Sequence, residues 1–468
     1  MSVDIAYIIS HGFAARMVTQ TNLLGLLVKD GKKVALICPD KNDENLKTYC
    51  ESAGVILYEF NPESSFWTAQ YADMRKYFLE DIDGNIALKE KHIWATRYNK
   101  SKNPISKLKP YLAYSVYKLI SIFPIIRQWY KDREEKHLYS PFAEKLIQEI
   151  KPKVLVSTYP VSFTEAILLK AGNNHGNTKT IIHLLSWDNI TCKGHFPQLA
   201  DEYIAWGPIM KSEFIEYYKI SEGKIHVCGV PHFDIHNYSR SNPEFKRYLI
   251  DFGLNPEDKY LFFGMSSPRF APNEIDIVEK LAEFVTKDFF GSKVNLVIRP
   301  HPQNVSGYMA DLSWLVRLEK IKSSRVAIDI PTLNESNLPW SMHINDMVRL
   351  SQLLNGAAII LNSGSTLSVD ALCLKRPVIL TSFDADVTQD FWKSAKRLIS
   401  YPHLKKLVML NAITIVFSFE ELKSAILELV LDLNIKAKER EKAAFEFCYY
   451  LDGNSTKRVL NVLNNSTK

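Results

Sequence analysis

The sequence predicts an α/β protein built as two doubly wound halves, each carrying a parallel sheet. Three observations lead there. The chain has 468 residues, more than one hydrophobic core supports, so two domains of roughly 200 residues are the natural division. Short apolar runs alternate with helical stretches, the pattern of strands joined by crossover helices. A polar stretch at about 237–258, with Ser239, Ser241, Asn242 and Pro243, separates two such alternating sets and reads as an interdomain connection.

The first set opens with a strand at 5–9, a turn at Ser10-His11-Gly12, a helix over about 14–29 ending at Asp30-Gly31, and a strand at 33–38. Pro39-Asp40 breaks that strand, and a third unit follows at 55–58. The region of about 66–137 departs from the alternation, being long, helical and basic. Strands then resume at 154–157, 180–185, 203–206 and 225–228. The second set has strands at 260–263, 294–298, 326–328, 357–361 and 377–380. The segment of about 418–463 is helical, and Ser418 ahead of Glu420 and Glu421 suits its start, a hydroxyl cap with acids in the first turn. The expected domains are thus 1–240 with the insertion 66–137, 255–430, and terminal helices over 431–468.

Hydrophobic residues at 46% and charged ones at 24% are ordinary for a globular protein and exclude a disordered or fibrous chain. The six cysteines lie far apart, which argues against a metal knuckle or a redox dithiol. No basic region precedes an apolar run at the N-terminus, and no run of about 18 apolar residues occurs, so neither a signal peptide nor a spanning helix is expected. The expectation is a cytoplasmic protein. The net charge of +6 is local: Lys89, Lys91, Arg97, Lys100, Lys102, Lys107, Lys109 and Lys118 face one acid, Glu90, giving +7 there and about −1 elsewhere. A general nucleic-acid surface does not follow from that distribution.

Ligands of a doubly wound sheet sit beyond the carboxyl ends of its strands, and several chemistry-bearing residues follow strands here. Val297-Ile298-Arg299-Pro300-His301-Pro302 runs from a strand into Arg299 and His301, with prolines fixing the backbone that aims the histidine. Such a pair can hold a phosphate or nucleotide. Leu361-Asn362-Ser363-Gly364-Ser365-Thr366 ends a strand and starts a helix, so amides and hydroxyls there form an anion cradle, with Asp370 two turns in able to reach a ribose hydroxyl. Ordinary capping explains the hydroxyls, but not their combination with the earlier motif. Ser266, in Gly264-Met265-Ser266-Ser267, permits close approach of a phosphate. In the first half, His11 and Asp188, the latter in Ser186-Trp187-Asp188-Asn189, are the candidate general bases. His183 and His232 read as structural. Two Asp-x-Asp pairs have a spacing that manganese-dependent transferases use: Asp81/Asp83 sits in the irregular insertion and reads as solvated, while Asp384/Asp386 follows a strand but has no His or third carboxylate near it in sequence, and no metal or cofactor is expected.

The Arg-Pro-His-Pro strand end and the Ser-Gly-Ser-Thr helix start resemble those of GT-B glycosyltransferases, two facing Rossmann-like domains with a C-terminal crossover helix. The resemblance is to bacterial capsule and O-antigen enzymes, to the polyol-phosphate transferases of teichoic acid synthesis, and to CMP-sugar transferases of the sialic acid and Kdo type. It implies that His301 and Ser365 or Thr366 contact the donor nucleotide, and that a sugar passes from a nucleotide-activated donor to a glycan or lipid-linked acceptor; if His11 or Asp188 removes the acceptor proton directly, the anomeric configuration inverts. The chain also resembles the UDP-N-acetylglucosamine 2-epimerase fold, where the serine-glycine motif is followed by a carboxylate pair; here Val369-Asp370 offers one. The same motifs would serve a CDP-polyol phosphotransferase, and the same architecture a catalytically silent scaffold. The stretch 106–130 mixes lysines with an aliphatic and aromatic stripe, a composition suited to an anionic membrane surface.

Overall fold

In the computed structural model, which describes residues 2–98, 103–307, 310–336, 338 and 341–468, the two alternating sets form two separate parallel sheets. The first holds β1 (Ile5–Ile8), β2 (Val34–Cys38), β3 (Ile56–Glu59), β4 (Val154–Ser157), β5 (Lys179–His183), β6 (Glu202–Ala205) and β7 (Ile225–Val227), in the order β3-β2-β1-β4-β5-β6-β7. The second holds β8 (Lys259–Gly264), β9 (Val294–Arg299), β10 (Val326–Ile328), β11 (Ile359–Asn362), β12 (Val378–Thr381) and β13 (Thr414–Val416), in the order β10-β9-β8-β11-β12-β13. β1, β2, β4, β9 and β11 are buried along their whole length. Helices cover both faces, which is why these strands read as continuous apolar runs rather than alternating ones. Strand order reverses between β1 and β4 and again between β8 and β11, so each half has a crevice at that switch point.

Three features differ from the sequence reading. The helix expected over 14–29 is two, Gly12–Val18 and Leu23–Lys29, parted where Asn22 adopts a left-handed φ of 54°. The polar stretch that reads as a connection is largely helical, Asp234–Ser241 and Phe245–Asp251. Its polar groups bind the second half: Asn355 Nδ2 donates to the Ser239 carbonyl at 2.9 Å and Gln352 Nε2 to that of Asn242 at 2.8 Å. β13, three residues long, is an addition to the expected strands. Beyond it, Ser418 caps the helix Phe419–Leu431 by accepting from the Glu421 amide at 3.1 Å. The last helix, Ser455–Ser466, lies on the first half, where Asp234 accepts from the amides of Ser455 and Thr456 and Lys32 donates to Thr467.

The insertion comprises the helices Phe66–Leu79, Ile86–Thr96, Pro104–Ile120 and Pro124–His137. Arg75 pairs with Glu134, and Tyr130 stacks on Phe78 at 5.2 Å, tying the first helix to the last. Its second helix reaches the other half of the molecule. Buried Glu90 accepts from Arg397 at 3.1 Å and from the Tyr401 hydroxyl, while Arg97 and Tyr98 meet Asp390. Much of the basic excess is therefore neutralised internally, since Lys89 and Lys118 also pair with Asp83. Lys100 and Lys102 lie outside the described residues.

Candidate active site

The C-terminal ends of both sheets open on one cleft of about 440 Å3. The first half contributes His11 after β1, Tyr159 after β4 and the Ser186–Asn189 turn after β5. From the second half come Ser266 after β8, His301 and Gln303 after β9, and Gly364–Thr366 after β11. An adjoining inner compartment of about 210 Å3 shares Phe13, Leu185, Ser186, His301, Ser365 and Thr366 with it and adds Arg16 and Asp370. Among the described residues, no cluster of three or more His, Cys, Asp or Glu is arranged to hold a metal ion. Asp384 accepts instead from Ser394 and the Ala395 amide, and Asp83 is ion-paired rather than merely solvated.

Each switch point is underpinned by a buried glutamate. Glu165 accepts from the Ser10 amide and hydroxyl, the Ser157 hydroxyl, and the amides of Thr158 and Tyr159, holding the loops after β1 and β4 together. Glu274, 1% exposed, plays the corresponding part under β8 and β11. Its carboxylate accepts from the Ser266 amide at 2.5 Å and meets Ser363. Burial dominates at both glutamates and raises both carboxyls; Glu274, with fewer partners, is pushed up to about 7.

His11 and His301 share one local design. Each caps a helix through Nδ1, which accepts from the amide two residues on, Phe13 at 3.2 Å and Gln303 at 3.1 Å. Burial pushes both imidazoles down to about 4, with Lys193 adding to the effect at His11 and Arg299 at His301. Both are neutral at pH 7, and an accepting Nδ1 puts the proton on Nε2. His11 is thereby a hydrogen-bond donor. To act as the base it would have to abandon its cap, which weighs against the expectation for that residue. Asp188 remains a carboxylate: burial opposes its charge, but Lys193 at 3.0 Å, His403 and the Ser186 hydroxyl at 2.7 Å prevail and hold it below the usual range.

The predicted donor residues divide. Ser266, His301, Gly364, Ser365 and Thr366 line the cleft. Arg299 borders the inner compartment, but both arms of its guanidinium pair with Asp329 and Asp346; with Arg349, which pairs with the same two acids, the cluster is neutral. It braces the strand end and brings no surplus charge to a phosphate. Ser363 is turned inward onto Thr381 at 2.8 Å, and Asp370 accepts from His236 at 2.9 Å. The cradle is also narrower than expected, because the Asn362 side chain accepts from the amides of Gly364 and Ser365 at 2.8 and 2.9 Å. What remains toward the cleft is the pair of hydroxyls on Ser365 and Thr366.

The cation that sequence reasoning misses is Arg16, on the helix after β1. Its guanidinium lines the inner compartment opposite Ser365 and Thr366 and touches soft groups, Met347 Sδ at 3.8 Å and the Phe13 ring at 5.7 Å. Its Nε makes no hydrogen bond. The signal in the sequence is position, five residues past His11 on the same strand-to-helix turn. Lys91, Lys193, Arg269 and His403 also line the cleft, with no local motif to mark them.

Two parallel sheets facing each other across a cleft, with the last helix returning to the first half, define the GT-B fold. No protein-family model matches the chain and no curated protein matches it. Among solved structures it is similar to the S. aureus MnaA–UDP co-structure, with 11% identity, a TM-score of 0.54 and coverage of 99% of this chain and 96% of that one. It is similar to UDP-GlcNAc 2-epimerase from Neisseria meningitidis bound to UDP-GlcNAc, with 13% identity, a TM-score of 0.53 and coverage of 99% and 100%. A glycosyltransferase from Rickettsia africae matches at 13% identity and a TM-score of 0.51, covering 100% and 99%. At such identities the likeness establishes the fold.

Proposed function

We propose that the chain is a metal-independent glycosyltransferase that moves a sugar from a nucleotide-activated donor to an acceptor hydroxyl of a surface polysaccharide or glycolipid. The observation that carries this reading is the inner compartment, where Arg16 of the first half confronts His301, Ser365 and Thr366 of the second. Neutral His301 donates through Nε2, the two hydroxyls donate beside it, and Arg16 supplies the positive charge that a departing phosphate needs. Bringing the cation from the opposite half makes donor binding depend on closure. The acceptor oxygen attacks the anomeric carbon as the bond to the donor phosphate breaks, and its proton passes to Asp188, with His11 donating to the bound substrates. That arrangement inverts configuration. A 2-epimerase acts on its donor alone, whereas this cleft continues well past the donor compartment between Lys91, Arg269 and His403, room that suits a second substrate.

The exposed outer face of the insertion supports work at the cytoplasmic side of a membrane. Pro104–Ile120 buries none of its residues and carries Lys107, Lys109 and Lys118 with no acid. Ile105 (75% exposed), Leu108, Leu112, Leu119, Phe123 and Ile125 (79%) form a continuous apolar run across it and the next turn. No helix among the described residues is long and apolar enough to cross a membrane.

Thermal unfolding with CMP, CDP, UDP, GDP and TDP tests the donor site. A ligand at a hundred times its Kd stabilises by about 2.7 kcal/mol, and one nucleotide class is expected to raise the Tm of the wild type. Arg16→Ala and His301→Ala should each weaken that nucleotide roughly ten- to hundredfold. Wild-type protein indifferent to all five would overturn the transferase reading.

A further inference from the structure

We infer a second anion-binding subsite in the cleft, formed by Lys91 and Arg269, that takes a phosphate or diphosphate group carried by the acceptor. The inference rests on the transferase reading for what the subsite serves, and on charge and geometry for its existence.

The helix Ile86–Thr96 carries Ala87, Glu90, Lys91 and Trp94 on one face, as i, i+3, i+4 and i+7 spacing requires; Glu90 and Trp94 meet the second half, and Lys91 is held on the Cys192 carbonyl of the first. Ala87, Glu90 and Lys91 line the cleft, and Trp94 lies under the Arg269 guanidinium at 5.8 Å. Three strong cations and two carboxylates line this side: Lys91, Lys193 and Arg269 against Glu90 and Asp188. Both carboxylates are engaged, Glu90 by Arg397 and Tyr401, Asp188 by Lys193. Lys91 and Arg269 are left without a carboxylate among the described residues. Lys91 donates to the Cys192 carbonyl at 2.9 Å, and Arg269 stacks on Trp94 and Phe270.

Uncompensated cations lining a cleft are costly unless an anion joins them. Lys91 registers the cost: burial, with Lys193 and Lys76 beside it, pushes its amine down to about 8, against the weaker opposing pull of Cys192 and Asp188. The donor phosphates do not meet this need, because the inner compartment with Arg16 does not include Lys91 or Arg269. The other side of the same helix meets the apolar outer helix, with His92 stacked on Tyr114 at 4.4 Å. A phosphorylated group presented from a membrane on that helix would enter the cleft past Lys91.

Titrations with geranyl diphosphate, inorganic pyrophosphate and the stabilising nucleotide, on wild type, Lys91→Gln, Arg269→Gln and Arg269→Lys, test this. Geranyl diphosphate affinity should fall roughly ten- to hundredfold in the two Gln variants and recover in Arg269→Lys, with nucleotide affinity unchanged, and the unliganded Tm of Lys91→Gln should not fall, since the variant removes a costly buried charge. For wild type it should also weaken as pH rises through 8. Pyrophosphate binding more weakly than geranyl diphosphate identifies a lipid-borne group; equal binding identifies the anion alone, as in a soluble phosphorylated acceptor. Geranyl diphosphate binding untouched by both Gln variants overturns the subsite, as does a matching loss of nucleotide affinity. A wild type that binds geranyl diphosphate through Lys91 but no nucleotide keeps the subsite and removes the transferase reading.

Discussion

Glu274 offers the sharpest energetic prediction. Its carboxyl sits at about 7 in the folded chain against an ordinary 4.5, so the folded state holds the proton more tightly than the unfolded one. For an acid raised in this way, stability is greatest below about pH 4.5, falls as pH rises toward 7, and levels off above. The difference of about 2.5 units at 1.36 kcal/mol each amounts to about 3 kcal/mol lost at pH 8. Glu274→Gln mimics the neutral form: its carbonyl accepts from the Ser266 amide and its amide faces the Ser363 hydroxyl. The variant should therefore match wild type near pH 5 and exceed it at pH 8 by up to about 3 kcal/mol, roughly 6–12 °C in Tm for a half of this size. Calorimetric melts of both proteins from pH 5 to 8.5 measure this. A Tm difference that does not change with pH, or a variant less stable than wild type at pH 8, would refute the argument that burial makes the ionised form of Glu274 costly.

Two further outcomes follow from the same geometry. Gly364 has φ of 112°, and a Cβ there would meet Leu404 Cδ1 at 2.9 Å, so Gly364→Ala should cost roughly 1–3 kcal/mol and weaken nucleotide binding more than it lowers Tm; an unchanged nucleotide affinity would mean the loop does not contact the donor. Leu112→Asp with Ile125→Asp should cut flotation with phosphatidylglycerol vesicles at least tenfold, because each change removes roughly 1.5–3 kcal/mol of apolar burial, while nucleotide binding persists; flotation equal to wild type would move the membrane contact elsewhere.

The fold is legible in the sequence because parallel strands buried on both faces have a strong signature, as in the runs around Val154–Ser157 and Val294–Arg299. Thr414–Val416 is not, since three residues carry no periodicity. The site is legible where a motif confines chemistry to one turn. His301, Ser365 and Thr366 stand out that way, and all three line the cleft. Side-chain destination is the part that local sequence withholds. Arg299 and Arg16 look alike in a string, yet Asp329 and Asp346 come from elements 30 and 47 residues beyond Arg299 and neutralise it, while Arg16 lines the compartment with Ser365 and Thr366 through a softer set of contacts. Lys91 makes the same point from the other side. The charge excess of its segment is countable, but Lys89 and Lys118 close on Asp83 and Arg97 on Asp390, so the surplus that reaches the cleft is decided by which lysine the helix turns inward. A helix of the insertion thus does two things at once: its Glu90 ties the halves of the molecule together through Arg397 and Tyr401, and the next residue places a cation at the junction. Under the proposed function, a substrate that neutralises Lys91 would act beside the Glu90–Arg397–Tyr401 contact that joins the halves.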